Sequence, residues 1–320
     1  KITKILVALS FLFSVATANA GELTVTGNME ATYHTQSDAV TGNPLGMDRE
    51  LKFAGSTELD NGISVSVMQD TSDNLGYGNS QIAFGNVGGL ATIYVGSDSD
   101  PVDAIDDITP SAYEEANGSG SGTYSDIGTL AGQMGIGIKL DLPVLGALNA
   151  KYYPKIDGTK NADNASSASA NDNVGNGSSI SLKTNLGDLP VLGGFLDGAT
   201  LTSGYSTHEE AVTANTDDAH ELTAALNYSI GALSLGYQEK YNNAGQTTEA
   251  GQTNFYRDTV IGAAYAVNDN LSISYNEHNM TYRKSGAGPD VEQQSTGIAI
   301  AYTMGGATLA IQNNAMDNVT

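Results

Sequence analysis

The residues best suited to chemistry in this sequence are the carboxylates of one long acidic stretch. The stretch, residues 97–127, follows a strand-like run that ends at Val95. Carboxylates at high density suit a metal loop, a catalytic acid–base pair or the lining of a water-filled passage. The seven carboxylates in question are Asp98, Asp100, Asp103, Asp106, Asp107, Glu114 and Glu115.

A metal-binding interpretation of this stretch is only partly supported. An EF-hand calcium loop needs glycine at its sixth position and glutamate at its twelfth. Counted from Asp98, those positions hold Asp103 and Thr109, so the motif is absent. Opportunistic calcium binding at Asp98, Asp100 and Asp103 stays open as an alternative, and no cofactor is predicted.

An enzymatic interpretation has little support. A nucleophilic serine needs a positioned base, and the four histidines are His34, His208, His220 and His278, three of them in or beside predicted long loops. No Gly-x-Ser-x-Gly motif occurs. Paired carboxylates of the glycosidase type are not excluded by so acidic a stretch. The sequence therefore favours a protein that is not an enzyme.

Composition restricts the partners of the protein. The chain has 36 acidic and 13 basic residues among 320, a formal net charge of −23. Nucleic acid is excluded as a partner, because phosphate binding needs lysine and arginine. The chain has no cysteine, so no disulfide supports the fold.

The N-terminus has the pattern of an export signal. Lys1 and Lys4 precede an apolar run over residues 5–15, and Ala18-Asn19-Ala20 forms a small-x-small cleavage site. We expect residues 1–20 to be a cleaved signal peptide and residues 21–320 to form the mature domain.

The elements around the acidic stretch alternate with a period of two. Ile273 and Tyr275, for example, alternate with Ser274 and Asn276. Such alternation predicts strands with one apolar and one polar face. Fifteen runs of this kind are predicted, over residues 22–33, 49–59, 62–70, 77–86, 89–96, 128–140, 147–153, 178–186, 199–206, 219–229, 232–241, 256–267, 270–281, 295–304 and 306–313.

The connections between these runs alternate between short turns and long polar loops. This rhythm is typical of an all-β, antiparallel, up-and-down transmembrane barrel, in which short turns face the periplasm and long loops face outward. Tyr228, Tyr265 and Tyr302 each lie on an apolar face just before a short turn, where an aromatic girdle belongs. A soluble sheet with cross-strand tyrosine packing is the alternative.

Several stretches resemble the general-diffusion porins of Gram-negative bacteria. They are Gly21 to Gly27, Leu51 to Ile63, Ile93 to Ser97 and Ser295 to Tyr302, in family order and spacing across the mature chain. The resemblance implies sixteen strands, a homotrimer in outer-membrane lipid and a third outer loop that folds into the lumen. An odd strand leaves an open edge, which is costly in hydrocarbon. We therefore expect that the sequence lacks a final strand.

The acidic stretch occupies the position of that third loop. Apolar residues such as Val102 and Ile105 would pack it against the wall, and its seven carboxylates would line the water. Charges of the lumen wall are predicted on polar strand faces at Glu50, Lys52, Lys139, Lys151 and Lys183, and the lysines among them could pair with the insert. A solvated surface loop and scattered solubilising lysines are the alternatives.

The sequence thus predicts an outer-membrane porin. It would form a water-filled channel for passive diffusion of small hydrophilic solutes and ions, with a preference for cations. A substrate-specific channel and an adhesion barrel with a closed lumen are the alternatives.

Overall fold

The computed structural model of the chain describes residues 23–34, 43–72, 76–98, 100–116, 127–156, 175–191, 194–209, 217–245, 253–284 and 289–317. The chain forms two compact units, residues 1–98 and residues 99–320. The predicted signal peptide, residues 1–20, lies outside the described residues.

The first unit is an antiparallel meander in which each strand pairs with the next. Turn chemistry explains its hairpins. Gly62 closes the turn after β2 with a φ of 80°, a conformation that glycine adopts without strain. The strands are β1 (Leu23–Tyr33), β2 (Leu45–Glu58), β3 (Ser64–Ser72), β4 (Gly76–Val87) and β5 (Ala91–Gly96).

The second unit is a longer meander of the same kind, in which each strand again pairs antiparallel with its chain neighbours. Its strands are β6 (Gly135–Leu142), β7 (Gly146–Tyr153), β8 (Gly177–Asn185), β9 (Ala199–His208), β10 (Ala219–Ile230), β11 (Leu233–Asn243), β12 (Thr253–Ala266), β13 (Leu271–Lys284), β14 (Val291–Met304) and β15 (Ala307–Asp317).

In the second unit, polar side chains of the strands are buried and apolar side chains are exposed. On β13, Ser274, Asn276 and His278 are buried, whereas Ile273 and Tyr275 on the opposite face are exposed. We name the face that carries Ser274 the polar face and the opposite one the apolar face. The same inversion holds on β14, where Ser295 is buried and Ile298 exposed. The core of this unit therefore lies against the polar face.

The predicted all-β, up-and-down fold is confirmed. The described residues contain fifteen strands, and each predicted alternating run overlaps one of them. No helix in this part of the chain is long and apolar enough to cross a membrane.

One predicted element is wrong in extent. A strand was predicted over residues 128–140, but β6 begins only at Gly135. Gly128 and Gly132 have φ values of 98° and 70°, which a strand does not accommodate. Residues 127–134 belong instead to the acidic connection, which we call the insert and define as residues 97–134.

Candidate functional site

The insert lies on the polar face of the second unit, and polar side chains of the strands hold its backbone. On β8, Ser179 Oγ accepts a hydrogen bond from the Val102 amide at 3.2 Å. On β11, Gln238 Nε2 donates to the Ile105 carbonyl at 2.8 Å. On β13, Ser274 Oγ accepts from the Ala112 amide at 2.9 Å. The insert is therefore fixed at three points on the polar face of the strands, which we call the wall. The residues that fix it are those that alternation places on this face.

A row of asparagine and glycine residues forms the seat for the middle of the insert. The row crosses β10 to β15 in register. A Cβ added to Gly236 would lie 2.2 Å from Pro110 Cδ, and one added to Gly297 would lie 2.8 Å from Ala116 Cβ. Glycine within a strand marks such close approach of another backbone. The members of the row are Asn227, Gly236, Gly262, Asn276, Gly297 and Asn314.

Two of the three asparagines of this row bind the insert directly. Asn227 Nδ2 donates to the Ile108 carbonyl at 2.8 Å. Asn276 Nδ2 donates to the Pro110 carbonyl at 3.3 Å. Glycines therefore make room for the insert while asparagines satisfy its carbonyls, which would otherwise be buried without partners.

Lys240 on β11 is the charged contact between wall and insert. Its Nζ lies 3.1 Å from Asp106 Oδ1 and 3.1 Å from Asp107 Oδ1, both on the insert. Asp258 Oδ2, on the neighbouring strand β12, lies 3.9 Å away. The Lys240 side chain is only 1% exposed. Removal of one partner from a buried group of this kind leaves the other charges without compensation.

His278 on β13 extends this charged group across the wall. Its Nδ1 lies 2.8 Å from Asp258 Oδ2, and its Nε2 lies 3.3 Å from Glu115 Oε2 on the insert. The same Glu115 accepts a hydrogen bond from the Thr109 amide at 2.9 Å, which closes a short loop of the insert. The charged cluster thus comprises Lys240, His278 and Asp258 from the wall and Asp106 and Glu115 from the insert, all buried, with the 44% exposed Asp107 at its edge.

Glu221 on β10 holds the returning part of the insert. Its carboxylate accepts hydrogen bonds from the Gly128 amide at 3.0 Å and from the Thr129 amide at 3.1 Å. Ser206 Oγ on β9 donates to the same carboxylate at 2.6 Å. Because carboxylates bound by several donors are held strongly, Glu221 fixes the segment that the sequence had assigned to β6.

Asp100 folds the start of the insert. Its Oδ2 accepts hydrogen bonds from the amides of Val102 at 3.0 Å and Asp103 at 2.9 Å, and its Oδ1 accepts from the Tyr153 hydroxyl. Lys151 Nζ lies 4.9 Å from the centre of the Tyr153 ring. This carboxylate is buried and engaged by protein donors.

The seven predicted pore carboxylates therefore divide into two groups. Asp100, Asp106 and Glu115 are buried, so the expectation that they line water is wrong, because the insert uses them as anchors. Asp103, Asp107 and Glu114 are exposed, and Asp98 is half-buried.

The predicted wall charges are placed as follows. Lys151 is buried opposite Ser179, whereas Lys139 and Lys183 are exposed, and by register all three share the polar face. In the first unit, Lys52 lies opposite Asp70, and Glu50 lines a cavity of about 380 Å³.

The cation that contacts the acidic part of the insert, Lys240, was not predicted. Its only sequence signal is its parity with Gly236 and Gln238 on the polar face. In the described part of the chain, no group of three or more His, Cys, Asp or Glu residues is arranged to hold a metal ion. Asp100, one of the three proposed calcium ligands, already accepts three hydrogen bonds.

Solved structures with the same architecture are porins and outer-membrane proteins. A porin refined at 1.8 Å resolution is 12% identical to this chain and has a TM-score of 0.61. The match covers 92% of this chain and 95% of the porin chain. The trimer form of OmpT from Vibrio cholerae is 10% identical, covers 93% and 89%, and has a TM-score of 0.64. OmpF of Salmonella typhi, in complex with daunomycin, is 13% identical, covers 92% and 98%, and has a TM-score of 0.56.

These likenesses define the fold as that of an outer-membrane β-barrel of the porin type. The family follows from the sequence itself. The family model described as Gram-negative porin matches residues 6–318. The chain therefore belongs to the Gram-negative porin family, as its resemblance predicted. The search of curated proteins returned no match.

Proposed function

We propose that the protein forms a water-filled channel in the outer membrane for passive diffusion of small hydrophilic solutes and ions. The insert is the narrowest part of this channel, and its exposed carboxylates favour cations. The carrying observation is the fixed position of the insert on the polar face, which leaves Asp103, Asp107 and Glu114 exposed. Fixed charge beside low-dielectric walls concentrates counter-ions and raises their rate of entry.

The apolar face supports a location in lipid. Large apolar side chains such as Leu226, Leu235, Ile261 and Ile300 are 44–46% exposed along four strands. A soluble protein rarely leaves so continuous an apolar surface in water. Acyl chains of the membrane cover this surface, while water fills the space beside the polar face.

The assembly is a homotrimer. A trimer form is known for the Vibrio cholerae OmpT, which shares this fold. Size-exclusion chromatography with light scattering in detergent should give three chains per particle.

Neutralising the three exposed carboxylates of the insert tests the cation preference. We expect Asp103→Asn, Asp107→Asn and Glu114→Gln together to shift the reversal potential in a salt gradient toward zero. The shift should be larger at low salt, because the Debye length is about 30 Å at 0.01 M and about 3 Å at 1 M. The measurement is bilayer electrophysiology on purified protein.

Asp269→Asn, in the exposed turn between β12 and β13, is the matched control. It removes a carboxylate outside the insert and should leave the reversal potential unchanged. An unchanged reversal potential in the triple variant, with normal conductance, would contradict the selectivity assigned to the insert.

A further inference from the structure

Two copies of one apolar motif lie at the short-turn end of the second unit, and the channel function does not account for them. Leu-Pro-Val-Leu-Gly occurs at residues 142–146, between β6 and β7, and again at residues 189–193, before β9. Val144 is 47% and Leu145 54% exposed in the first copy. Val191 in the second copy is 92% exposed, and Phe195 just after it is 86% exposed. Leu192 and Gly193 lie outside the described residues.

The two copies replace the tyrosines of the girdle. Five strands of the second unit run toward the short-turn end, namely β6, β8, β10, β12 and β14. Three of them carry a tyrosine on the apolar face near their ends: Tyr228 on β10, Tyr265 on β12 and Tyr302 on β14. β6 and β8 carry no tyrosine near their ends, and each is followed by one copy of the motif. Each of the five strands thus ends in one of two kinds of apolar group.

The first copy is hydrogen-bonded to a residue on the apolar face. Thr184 lies on that face, because it pairs with Leu201, which is 42% exposed there. Thr184 Oγ1 donates a hydrogen bond to the Leu145 carbonyl at 2.7 Å. The turn is therefore tied to the outer side of β8 and does not project over the polar face.

The second copy is continuous with the girdle. The segment reaches β9 through Gly198, whose carbonyl accepts a hydrogen bond from the Ser229 amide at 3.0 Å. A Cβ added to Gly198 would lie 3.8 Å from Tyr228 Cε2. The exposed residues Val191 and Phe195 thus precede a point of contact with a girdle tyrosine.

We infer that two motif segments, Leu142–Gly146 and the described residues 189–191 and 194–196 around the second copy, are membrane anchors. They insert their apolar side chains into the boundary between headgroups and acyl chains in the leaflet at the short-turn end. The ligand is therefore phospholipid. The transfer of an exposed phenylalanine or valine side chain out of water is favourable, roughly in proportion to the apolar area that is removed from water. Tyrosine suits the same boundary because its ring is apolar and its hydroxyl is polar. The motif places apolar side chains there from turns that contain proline.

This inference rests on the membrane location proposed above, and the test separates the two. The sequence contains no tryptophan, so a single introduced tryptophan reports its own surroundings. Val191→Trp and Phe195→Trp are at exposed positions, which can accommodate a larger side chain without steric conflict. Asp269→Trp, in an exposed polar turn at the same end, is the water-facing control. Ile273→Trp, on the apolar face, is the lipid-facing control.

The proteins are reconstituted in phosphatidylcholine vesicles with and without bromine on the acyl chains. We expect Val191→Trp and Phe195→Trp to show blue-shifted emission, quenching by brominated lipid and protection from aqueous iodide. Asp269→Trp should emit at longer wavelength and be quenched by iodide. Ile273→Trp should be quenched most by brominated lipid.

Two outcomes would overturn the inference. If both motif variants behave like Asp269→Trp while Ile273→Trp is quenched by lipid, the segments face water, and a soluble partner or second copy would cover them. If Ile273→Trp is also not quenched by lipid, the apolar face is not in the membrane, and the proposed location fails together with the anchors.

Discussion

Replacing Lys240 with methionine is expected to release the insert from the wall and to raise single-channel conductance. The substitution keeps an unbranched chain but leaves Asp106, Asp107 and Asp258 without the cation that lies within 3.9 Å of all three. Loss of one partner from a buried ionic group costs about 3–5 kcal/mol. The insert can avoid much of this cost by moving Asp106 into water beside the exposed Asp107, which opens the passage.

Arg257→Met is the matched control for that variant. Arg257 lies on the next strand, is paired with Glu239 at 2.9 Å, and has a side chain that is 47% exposed on the apolar face. This pair lies on the face opposite the insert and makes none of the contacts described for it, so conductance should stay at the wild-type value. Wild-type conductance and wild-type resistance of the insert to protease in Lys240→Met would show that the ionic group does not hold the insert.

A lysine on the apolar face is expected to destabilise the protein. Ile273 lies between Leu271 and Tyr275 on this face and pairs with Tyr265 and Ile300 on the neighbouring strands. Lysine on the lipid face costs about 2–4 kcal/mol near the bilayer midplane. Because Ile273 pairs with the girdle residue Tyr265, the free energy of unfolding of Ile273→Lys in phospholipid vesicles should fall by an amount at the lower end of this range, about 2 kcal/mol.

Ser272→Lys is the matched variant on the polar face. Ser272 is the neighbouring residue and is half-buried. It lies close to the turn between β12 and β13, nearer to that turn than Ser274, which contacts the insert. Its lysine should reach water and change the free energy of unfolding by less than about 1 kcal/mol, as for a solvated surface substitution. Equal losses in the two variants would contradict a lipid-facing apolar surface.

Most of the fold could be predicted because each strand has one apolar and one polar face. A period of two identifies such strands locally, and the order of short and long connections fixes their meander. The exception was β6, where residues 128–134 alternate weakly but serve another purpose. Their amides bind Glu221, which is more than 90 positions away, and no local pattern encodes that contact.

The candidate site could be predicted in place but not in detail. Parity assigned Lys139, Lys151 and Lys183 to the polar face, and it assigns Lys240 to that face equally well. Parity does not give the height of a residue along the wall, and height decides which cation meets Asp107 across 133 positions of sequence. Ser274 shows the same limit, because parity places it on the polar face but does not predict that the insert covers it.

The glycines of the seat are a sequence signal whose meaning depends on the register of the strands. Gly236, Gly262 and Gly297 each interrupt the polar face of a strand, where glycine weakens the sheet and marks a close approach. Their common function emerges only from the register, which places them in one row with Asn227 and Asn276.

The most direct test of the central claim is the single-channel conductance of a variant that lacks residues 101–122. This deletion removes the insert's contacts with Ser179, Gln238, Asn276 and Lys240 but leaves every described strand intact. If the insert narrows a water-filled channel, conductance should rise and cation preference should fall in the same experiment. Wild-type conductance in a deletion variant that is folded and inserted would contradict the claim and leave the insert as a feature of the protein surface.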